Sequence, residues 1–297
     1  MVIMKVKTIN KELRKLHKRW LKSIKDENVA KLIKRDTIIT GGSIASMLLQ
    51  EDVNDYDVYF ATAETVAAVA EYYVDKLKEI DKAAEAVRFT YTDNKGADCT
   101  RARFVKSTVG RLKIYIPSAG YWKLDGNKRK EFEPIYLTAN SVMLKGKIQV
   151  VLRFFGSPET IHKNYDFVHV KSYWTPKEIV IPEDTALALL TKELKYQGSK
   201  YPLTSIIRTR KFIRRGWTIT AGEYLKMCVQ LQNFDLLKPS VLEDQLMGVD
   251  IAYFMAFIIK MKEYLKDPNH KITTDYLIDL VDEVFNEDHD EISERDE

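Results

Sequence analysis

Apolar residues recur at helical spacing near the start of the chain. Leu13, Leu16, Trp20, Ile24 and Ile33 return to one side of a helix, which predicts one or two amphipathic helices over residues 10–35. The other side is basic, since residues 1–35 hold twelve Lys or Arg against three acids. Such a surface is either solvated or in contact with RNA, and the charge pattern favours neither.

Short β-branched and alternating runs dominate the central part of the chain. Strands are predicted at residues 36–40, 55–60, 87–91, 111–116, 135–144, 148–155 and 164–171, with a hairpin turn at 145–147. Helices are predicted after Gly41-Gly42-Ser43, over 64–81, and after Ser157 as N-cap residue. A strand, turn, helix, strand, helix order is typical of an α+β domain.

From about residue 183 the pattern predicts helices only. They are expected at 184–197, 203–215, 221–233, 240–247, 250–266 and 273–286, with a capping box from Ser240 to Glu243. The expected fold is therefore α+β, with a mixed sheet and helices followed by an all-helical C-terminal domain. The predicted limits are 1–35 for the basic N-terminal helix, 36–182 for the catalytic domain, 183–286 for the helical domain, and 287–297 for a disordered acidic tail.

Composition excludes several classes of protein. The chain has 297 residues, of which 45% are apolar and 30% charged, which is typical of a folded globular protein. Its longest apolar stretch, 251–259, is half of what a membrane-spanning helix needs. The N-terminus has no apolar core of a secretory signal, so we expect a cytoplasmic protein with no membrane partner, in the host cytoplasm if the source is viral.

Charge is distributed unevenly along the chain. The net charge is +4, yet residues 287–297 carry seven acids and one Arg, which leaves +10 on the remainder. Residues 194–222 contain seven Lys or Arg and no acid. Clustered positive charge of this kind indicates a polyanionic partner, either a nucleic acid or a triphosphate.

The most informative arrangement combines a glycine turn with two carboxylates. Gly42 and Ser43 lie between a strand and a helix, where backbone N–H groups and a hydroxyl suit bound phosphate. Asp55 and Asp57 are two residues apart on the next predicted strand, so their side chains point to one face and can share a divalent cation. Magnesium bridged by carboxylates and substrate phosphates is typical of phosphoryl-transfer sites.

This arrangement resembles the motif of the DNA polymerase beta-like nucleotidyltransferase superfamily. The resemblance covers about 25 residues, from Asp36 to Phe60, and implies a nucleotidyltransferase-type mixed sheet. It also implies transfer of a nucleoside monophosphate from an NTP, with Mg²⁺ (or Mn²⁺) held by Asp55, Asp57 and a third carboxylate. The segment from Asn164 to His169 is similar to nucleotidyltransferase-like proteins of large bacteriophages.

Asp166 is the predicted third carboxylate, catalytic and metal-binding together with Asp55 and Asp57. It lies in a run, Tyr165-Asp-Phe-Val168, that is typical of a strand. The alternative is an acid that caps a strand end or pairs with a surface Lys, and Asp98 would then take the third position. Three converging carboxylates are unfavourable unless a metal neutralises them.

The predicted helix at 203–215 offers a row of cations. Arg208, Lys211 and Arg215 fall on one face at helical spacing and suit a triphosphate or an RNA backbone. The segment loosely resembles the Arg-rich helix of tRNA CCA-adding enzymes, and the alternative is a solvated basic helix. The E-D-x-x-R run that reads the incoming base in those enzymes is missing, so CCA addition as such is not supported.

The resulting hypothesis is a metal-dependent nucleotidyltransferase. It would use an NTP, with ATP as the first expectation, and its acceptor would be an RNA 3′ end such as that of tRNA. Nucleotidylylation of a protein or small molecule is the alternative with the same chemistry. A catalytically degenerate nucleic-acid-binding protein on the same scaffold is the alternative from another class.

Overall fold

The computed structural model describes residues 4–117, 121–246, 249 and 251–286, and the predicted acidic tail at 287–297 lies outside them. The chain divides into two compact units that are both discontinuous in sequence. Unit 1 comprises Met1–Lys163 and His169–Leu189, and unit 2 comprises Asn164–Val168 and Leu190–Glu297. The predicted N-terminal helical segment belongs to unit 1. The functional limits assigned to the domains from the sequence stay a prediction.

Unit 1 combines helices with two sheets. Its helices are α1 (Val6–Ser23), α2 (Glu27–Asp36), α3 (Gly42–Leu49), α4 (Ala63–Ile80), α5 (Arg101–Val105) and α6 (Pro158–His162), and α7 (Glu183–Thr191) begins in it. Its strands are β1 (Thr37–Thr40), β2 (Tyr56–Phe60), β3 (Arg88–Thr92), β4 (Asp98–Cys99), β5 (Arg111–Tyr115), β6 (Tyr121–Lys123), β7 (Pro134–Thr138), β8 (Ser141–Leu144), β9 (Ile148–Phe155), β10 (Tyr173–Trp174) and β11 (Ile179–Val180).

The larger sheet is mixed. Its eight strands follow the order β11-β10-β1-β2-β9-β8-β7-β6, and β2 and β9 are parallel whereas the other neighbours are antiparallel. A smaller antiparallel sheet has the order β4-β3-β5. The predicted α+β class with a mixed sheet is confirmed, as is the hairpin that joins β8 to β9.

The N-terminal helices pack through the predicted apolar face. Ile9, Leu13 and Trp20 are almost fully buried, and the Trp20 indole Nε1–H donates a hydrogen bond of 2.6 Å to the Tyr73 hydroxyl of α4. Burial of each such side chain contributes about 1.5–3 kcal/mol, so this face anchors α1. None of the helices in the described part of the chain is long and apolar enough to span a membrane.

Unit 2 is mostly helical. Its elements are β12 (Glu193–Leu194), α8 (Pro202–Arg214), β13 (Thr218–Ile219), α9 (Ala221–Leu231), α10 (Pro239–Gln245), α11 (Ile251–Tyr264) and α12 (Thr274–Asn286). Its core consists of buried apolar side chains from α8, α10, α11, α12 and the preceding loops: Leu203, Leu242, Leu246, Phe257, Ile258, Met261, Ile272, Leu280 and Val284.

The C-terminal part differs from the prediction in three respects. It is not all-helical, because β12 and β13 form a short parallel pair. The helix predicted at 184–197 ends at Thr191, since Lys192 adopts a positive φ of 50° and the chain then enters β12. The Ser240 capping box is also absent, because Pro239 already occupies the first helical position and Lys238 is the N-cap residue.

The predicted strand at 164–171 is wrong as well. Asp166 lies in a bend, Phe167 forms an isolated bridge with Tyr196, and Val168–Val170 is a 3₁₀ helix. The physical reason is the Phe167 ring, which is fully buried against Tyr196 and Phe212 of unit 2 and holds the backbone away from an extended ladder. Alternation of apolar residues over a few positions does not distinguish such a segment from a strand.

Candidate functional site

The turn between β1 and α3 has an open helix end. Gly41 is the N-cap residue of α3 with φ of 99°, a conformation that favours glycine, and its N–H donates a 3.2 Å hydrogen bond to the Val170 carbonyl. The helix begins at Gly42, so the N–H groups of its first turn lack partners within the helix. The partial positive charge of a helix N-terminus favours an anion at this place.

Asp57 lies directly against this turn. Strands β1 and β2 pair antiparallel with Ile39 opposite Val58, which brings Asp57 beside the end of β1. A methyl group built on Gly41 would lie 2.7 Å from Asp57 Oδ2, so only glycine leaves room for the carboxylate. Asp57 and Asp55 are both half-buried, but Asp55 immediately precedes β2 and is not part of it, contrary to the prediction.

Ser43 presents an unsatisfied hydroxyl at the same helix end. Its side chain is 3% exposed, and its Oγ finds no hydrogen-bond partner within the described residues. A buried hydroxyl in this state costs about 1–3 kcal/mol relative to a satisfied one. Gly42 has open space beside its Cα, since an added methyl group would meet no atom within 4 Å. The turn therefore combines space, N–H groups that have no partner within the helix, and a hydroxyl.

A buried hydrogen-bond chain supports the turn from behind. Thr40 Oγ1 donates to the Ser172 carbonyl at 2.9 Å and accepts from His162 Nε2, also at 2.9 Å. Burial, with a contribution from Lys171, lowers the pKa of His162 to about 4, so the imidazole is neutral at pH 7. Sequence reasoning missed Thr40 and His162 because they are 122 positions apart and no local pattern links them.

Asp166 has a partner of opposite charge within unit 2. It is 7% exposed and accepts hydrogen bonds from Arg208 Nη1 at 3.0 Å and from Ser205 Oγ at 3.2 Å. The residue thus belongs to a different unit from Asp55 and Asp57. The fallback residue Asp98 is exposed on β4 of the small sheet.

The predicted cation row is exposed on unit 2. Arg208 and Lys211 lie on α8, whereas Arg215 directly follows the helix as its C-cap residue. All three are exposed, and α8 packs inward through residues such as Leu203 and Thr209. Arg208 differs from the other two because its guanidinium also neutralises Asp166.

The described residues contain no group of three His, Cys, Asp or Glu side chains close enough to hold a metal ion. Two neighbouring carboxylates, Asp55 and Asp57, are nevertheless a suitable protein contribution to a Mg²⁺ site. Magnesium prefers oxygen ligands and is commonly held by one or two carboxylates together with substrate phosphates and water. The donor set therefore fits this ion, with Asp55 and Asp57 as the residues that would hold it.

Comparison with known proteins identifies relatives. A family model described as "Gabija anti-defense 2 family protein" matches residues 11–192, more than half of the chain. The "Gabija anti-defense 2" protein of Bacillus phage SPbetaL7 is 22% identical over 261 residues, which cover 86% of this chain and 52% of the relative. The chain thus spans about half the length of this relative, and the predicted similarity to phage proteins is confirmed.

Solved CCA-adding enzymes show a distant structural likeness. One, in complex with CTP, has a TM-score of 0.41 at 15% identity, covering 99% of this chain and 67% of the enzyme. The CCA-adding enzyme of Thermotoga maritima, solved with tRNA, has a TM-score of 0.35 at 16% identity, covering 86% of this chain and 57% of the enzyme.

Proposed function

The chain belongs to the Gabija anti-defense 2 family, and on that premise we propose that it counters Gabija defence as a metal-dependent nucleotidyltransferase. The observation that supports this chemistry best is the position of the Asp57 carboxylate against the Gly41 turn at the start of α3. A helix N-terminus, which suits a phosphate, and a carboxylate, which suits a metal ion, thereby lie at one place in unit 1, and this supports the proposal.

In the proposed reaction an acceptor hydroxyl attacks the α-phosphorus of an NTP. A new P–O bond forms to the acceptor oxygen, whose proton is released to water, the bond to the β-phosphate oxygen breaks, and pyrophosphate leaves. The N–H groups of α3 and the Ser43 hydroxyl would bind triphosphate oxygens. Asp55 and Asp57 would hold Mg²⁺ (or Mn²⁺), which supplies positive charge to the reacting phosphate when bound.

We propose ATP as the first NTP to test and an RNA 3′ end, such as that of tRNA, as the acceptor. The net charge of +10 on residues 1–286 supports a polyanionic acceptor. Contacts of Arg208, Lys211 and Arg215 with phosphate groups stay a prediction. The role of Asp166 as third metal ligand also stays a prediction, and its existing pair with Arg208 makes a separate test necessary.

The test compares the wild type with Asp55→Asn/Asp57→Asn in the presence of Mg²⁺ or Mn²⁺, α-³²P-labelled NTPs and total RNA. Loss of two metal ligands removes several kcal/mol of transition-state stabilisation, so transfer should fall by about 10³-fold or more. The exposed pair Asp52→Asn/Asp75→Asn has the same change in charge and should retain full activity. EDTA should abolish transfer by the wild type.

Each pattern of label has a definite meaning. Label in a discrete RNA band from the wild type and the control variant supports the proposal. Label in protein would replace the RNA acceptor with a protein one, and the absence of label with every NTP would overturn the transferase. Phage plating on a host with Gabija defence then tests the biological role, since Asp55→Asn/Asp57→Asn should no longer protect the phage.

A further inference from the structure

The small sheet of unit 1 has one face that is polar and accessible. In β3 and β5 the register pairs Arg88 with Tyr115, Thr90 with Lys113, and Thr92 with Arg111. Directly opposed residues of antiparallel strands point to the same side, so these six share a face, here called the outer face. The intervening residues, such as Leu112 and Ile114, are buried on the opposite side.

The cations of the outer face have no internal partner. Arg88, Arg111 and Lys113 are exposed, and none of them forms an ion pair or a side-chain hydrogen bond within the described residues. Asp98 of β4 lies directly opposite Thr92 and therefore shares this face, with Thr92 between it and Arg111. Three cations are thus available to an external anion.

The basic surface of α1 differs in this respect. Lys15 pairs with Glu12 at 2.9 Å, and Arg19 pairs with Glu131 at 3.2 Å. Its charges are partly neutralised by the protein itself. On the outer face, in contrast, none of the three cations has an ion pair within the described residues.

An aromatic ring lies among these cations. Tyr115 is 57% exposed, directly opposite Arg88. Cations two residues apart on a strand, such as Arg111 and Lys113, are separated by about 6.6–6.8 Å along the chain direction. Proteins that bind single strands combine backbone-contacting cations with exposed aromatic rings on which bases stack. A duplex keeps its bases stacked on one another and would leave the Tyr115 ring without this contact.

We infer that the outer face binds a single-stranded RNA segment, with Tyr115 stacked on a base and Arg88, Lys113 and Arg111 in contact with phosphates. The choice of RNA rests on the proposed function, in which RNA is the acceptor. The face is part of the long segment between β2 and Asp166, so this binding gives that segment a role in holding the acceptor chain.

The first experiment measures fluorescence anisotropy of a labelled 12-nucleotide oligouridylate at several salt concentrations, without NTP or metal. Each phosphate contact to a single strand contributes about −0.7 to the slope of log K against log salt, so three contacts give about −2. Arg111→Ala/Lys113→Ala should make this slope shallower by about 1.4. The control Lys82→Ala/Lys238→Ala removes two exposed lysines elsewhere and should leave the slope unchanged.

The second experiment addresses the ring. Loss of one stacked base weakens single-strand binding by on the order of tenfold or more, which is the effect expected of Tyr115→Ala. Tyr115→Phe retains the ring and should bind as the wild type does. The inference would be overturned if Tyr115→Ala bound the oligonucleotide as tightly as the wild type does. It would also be overturned if the wild type bound a matched RNA duplex or DNA strand more tightly than the oligouridylate, or bound polyglutamate equally well.

These measurements separate the two proposals. Asp55→Asn/Asp57→Asn should bind the oligonucleotide normally, because the outer face does not include the carboxylates. Binding without any transfer activity would overturn the proposed function and leave the RNA-binding face standing. If the wild type shows transfer activity and the outer-face variants bind the oligonucleotide as the wild type does, the inference about the outer face is overturned and the proposed function stands. Circular dichroism melting should show that these exposed substitutions leave the fold intact.

Discussion

Asp57 and Asp166 are the same residue type in contrasting surroundings. Asp57 in unit 1 lies against a glycine backbone at a helix N-terminus, whereas Asp166 in unit 2 is held by the Arg208 guanidinium and the Ser205 hydroxyl. A metal ion at Asp166 would either have to displace the Arg208 guanidinium or bind close to its positive charge, which is unfavourable. The two carboxylates thus differ in environment: Asp166 already has a cationic partner in Arg208, whereas Asp57 lies at a helix N-terminus.

Gly41→Ala is expected to have the largest effect on this comparison. Alanine at a φ of 99° and a ψ of −154°, a backbone region restricted essentially to glycine, costs about 1–3 kcal/mol. Its methyl group would also displace the Asp57 carboxylate. Since misplacement by about 1 Å costs on the order of 10²-fold in rate, transfer should fall at least that far. Unfolding in urea and labelled-NTP assays measure the two consequences.

Gly96→Ala is the matched control for this substitution. Gly96 has a φ of 80°, and an added methyl group would meet no atom within 4 Å. Its substitution therefore introduces backbone strain without displacing a neighbouring side chain. We expect it to lower stability by about 1 kcal/mol and to leave transfer intact. Equal effects of the two substitutions would show that the contact with Asp57 is unimportant.

His162→Gln should have the next largest effect, seen as a change in pH dependence. Burial, and to a smaller extent the positive charge of Lys171, lowers the pKa of His162 in the folded state to about 4, from the ordinary value of 6.5. Between pH 4 and pH 6.5 the unfolded chain binds more protons than the folded one. The contribution of His162 to the free energy of unfolding is therefore fully present above pH 6.5 and is lost as the pH falls towards 4. This residue alone accounts for about 2 kcal/mol between pH 7.5 and pH 5.

Urea unfolding at those two pH values measures the difference. In His162→Gln the loss of stability on acidification should be about 2 kcal/mol smaller than in the wild type. Exposed His270, replaced by Gln, serves as the control and should behave as the wild type does. An unchanged pH dependence in His162→Gln would mean that the histidine is accessible to protons in the folded state.

Asp166→Asn should have the smallest effect. The amide still accepts from Ser205, and the Arg208 side chain is 44% exposed, so water compensates for the lost charge. Stability should fall by about 1 kcal/mol and transfer by less than tenfold. The prediction of Asp166 as the third metal ligand requires the opposite outcome, a loss of transfer as large as that of Asp55→Asn/Asp57→Asn.

Local sequence patterns predicted much of unit 1. The apolar face of α1, the strand before Gly41 and the hairpin of β8 and β9 follow from periodicity and turn residues, which act over a few positions. The Gly41 and Asp57 contact was also within reach, because Gly41 directly follows β1 and Asp57 lies on the neighbouring strand β2 of the same short motif.

Long-range contacts set the limit of this prediction. The segment around Asp166 alternates like a strand, but the burial of Phe167 against Tyr196 and Phe212 overrides the local preference. The end of α7 at Thr191 depends on the pairing of Glu193–Leu194 with Thr218–Ile219, which no local signal announces. Likewise, the link between His162 and Thr40 exists only after the sheet has formed.

The discontinuity of the two units has a consequence for synthesis and refolding. Residues 164–168 leave the ribosome before Tyr196, Arg208 and Phe212, the partners that bury Phe167 and neutralise Asp166. Unit 2 can therefore form completely only after α8 has been made, whereas all residues of unit 1 precede α8 in the chain. Such a loop closure slows folding relative to a chain whose units follow one another, and a fragment cut between residues 182 and 183 would lose the piece that completes unit 2.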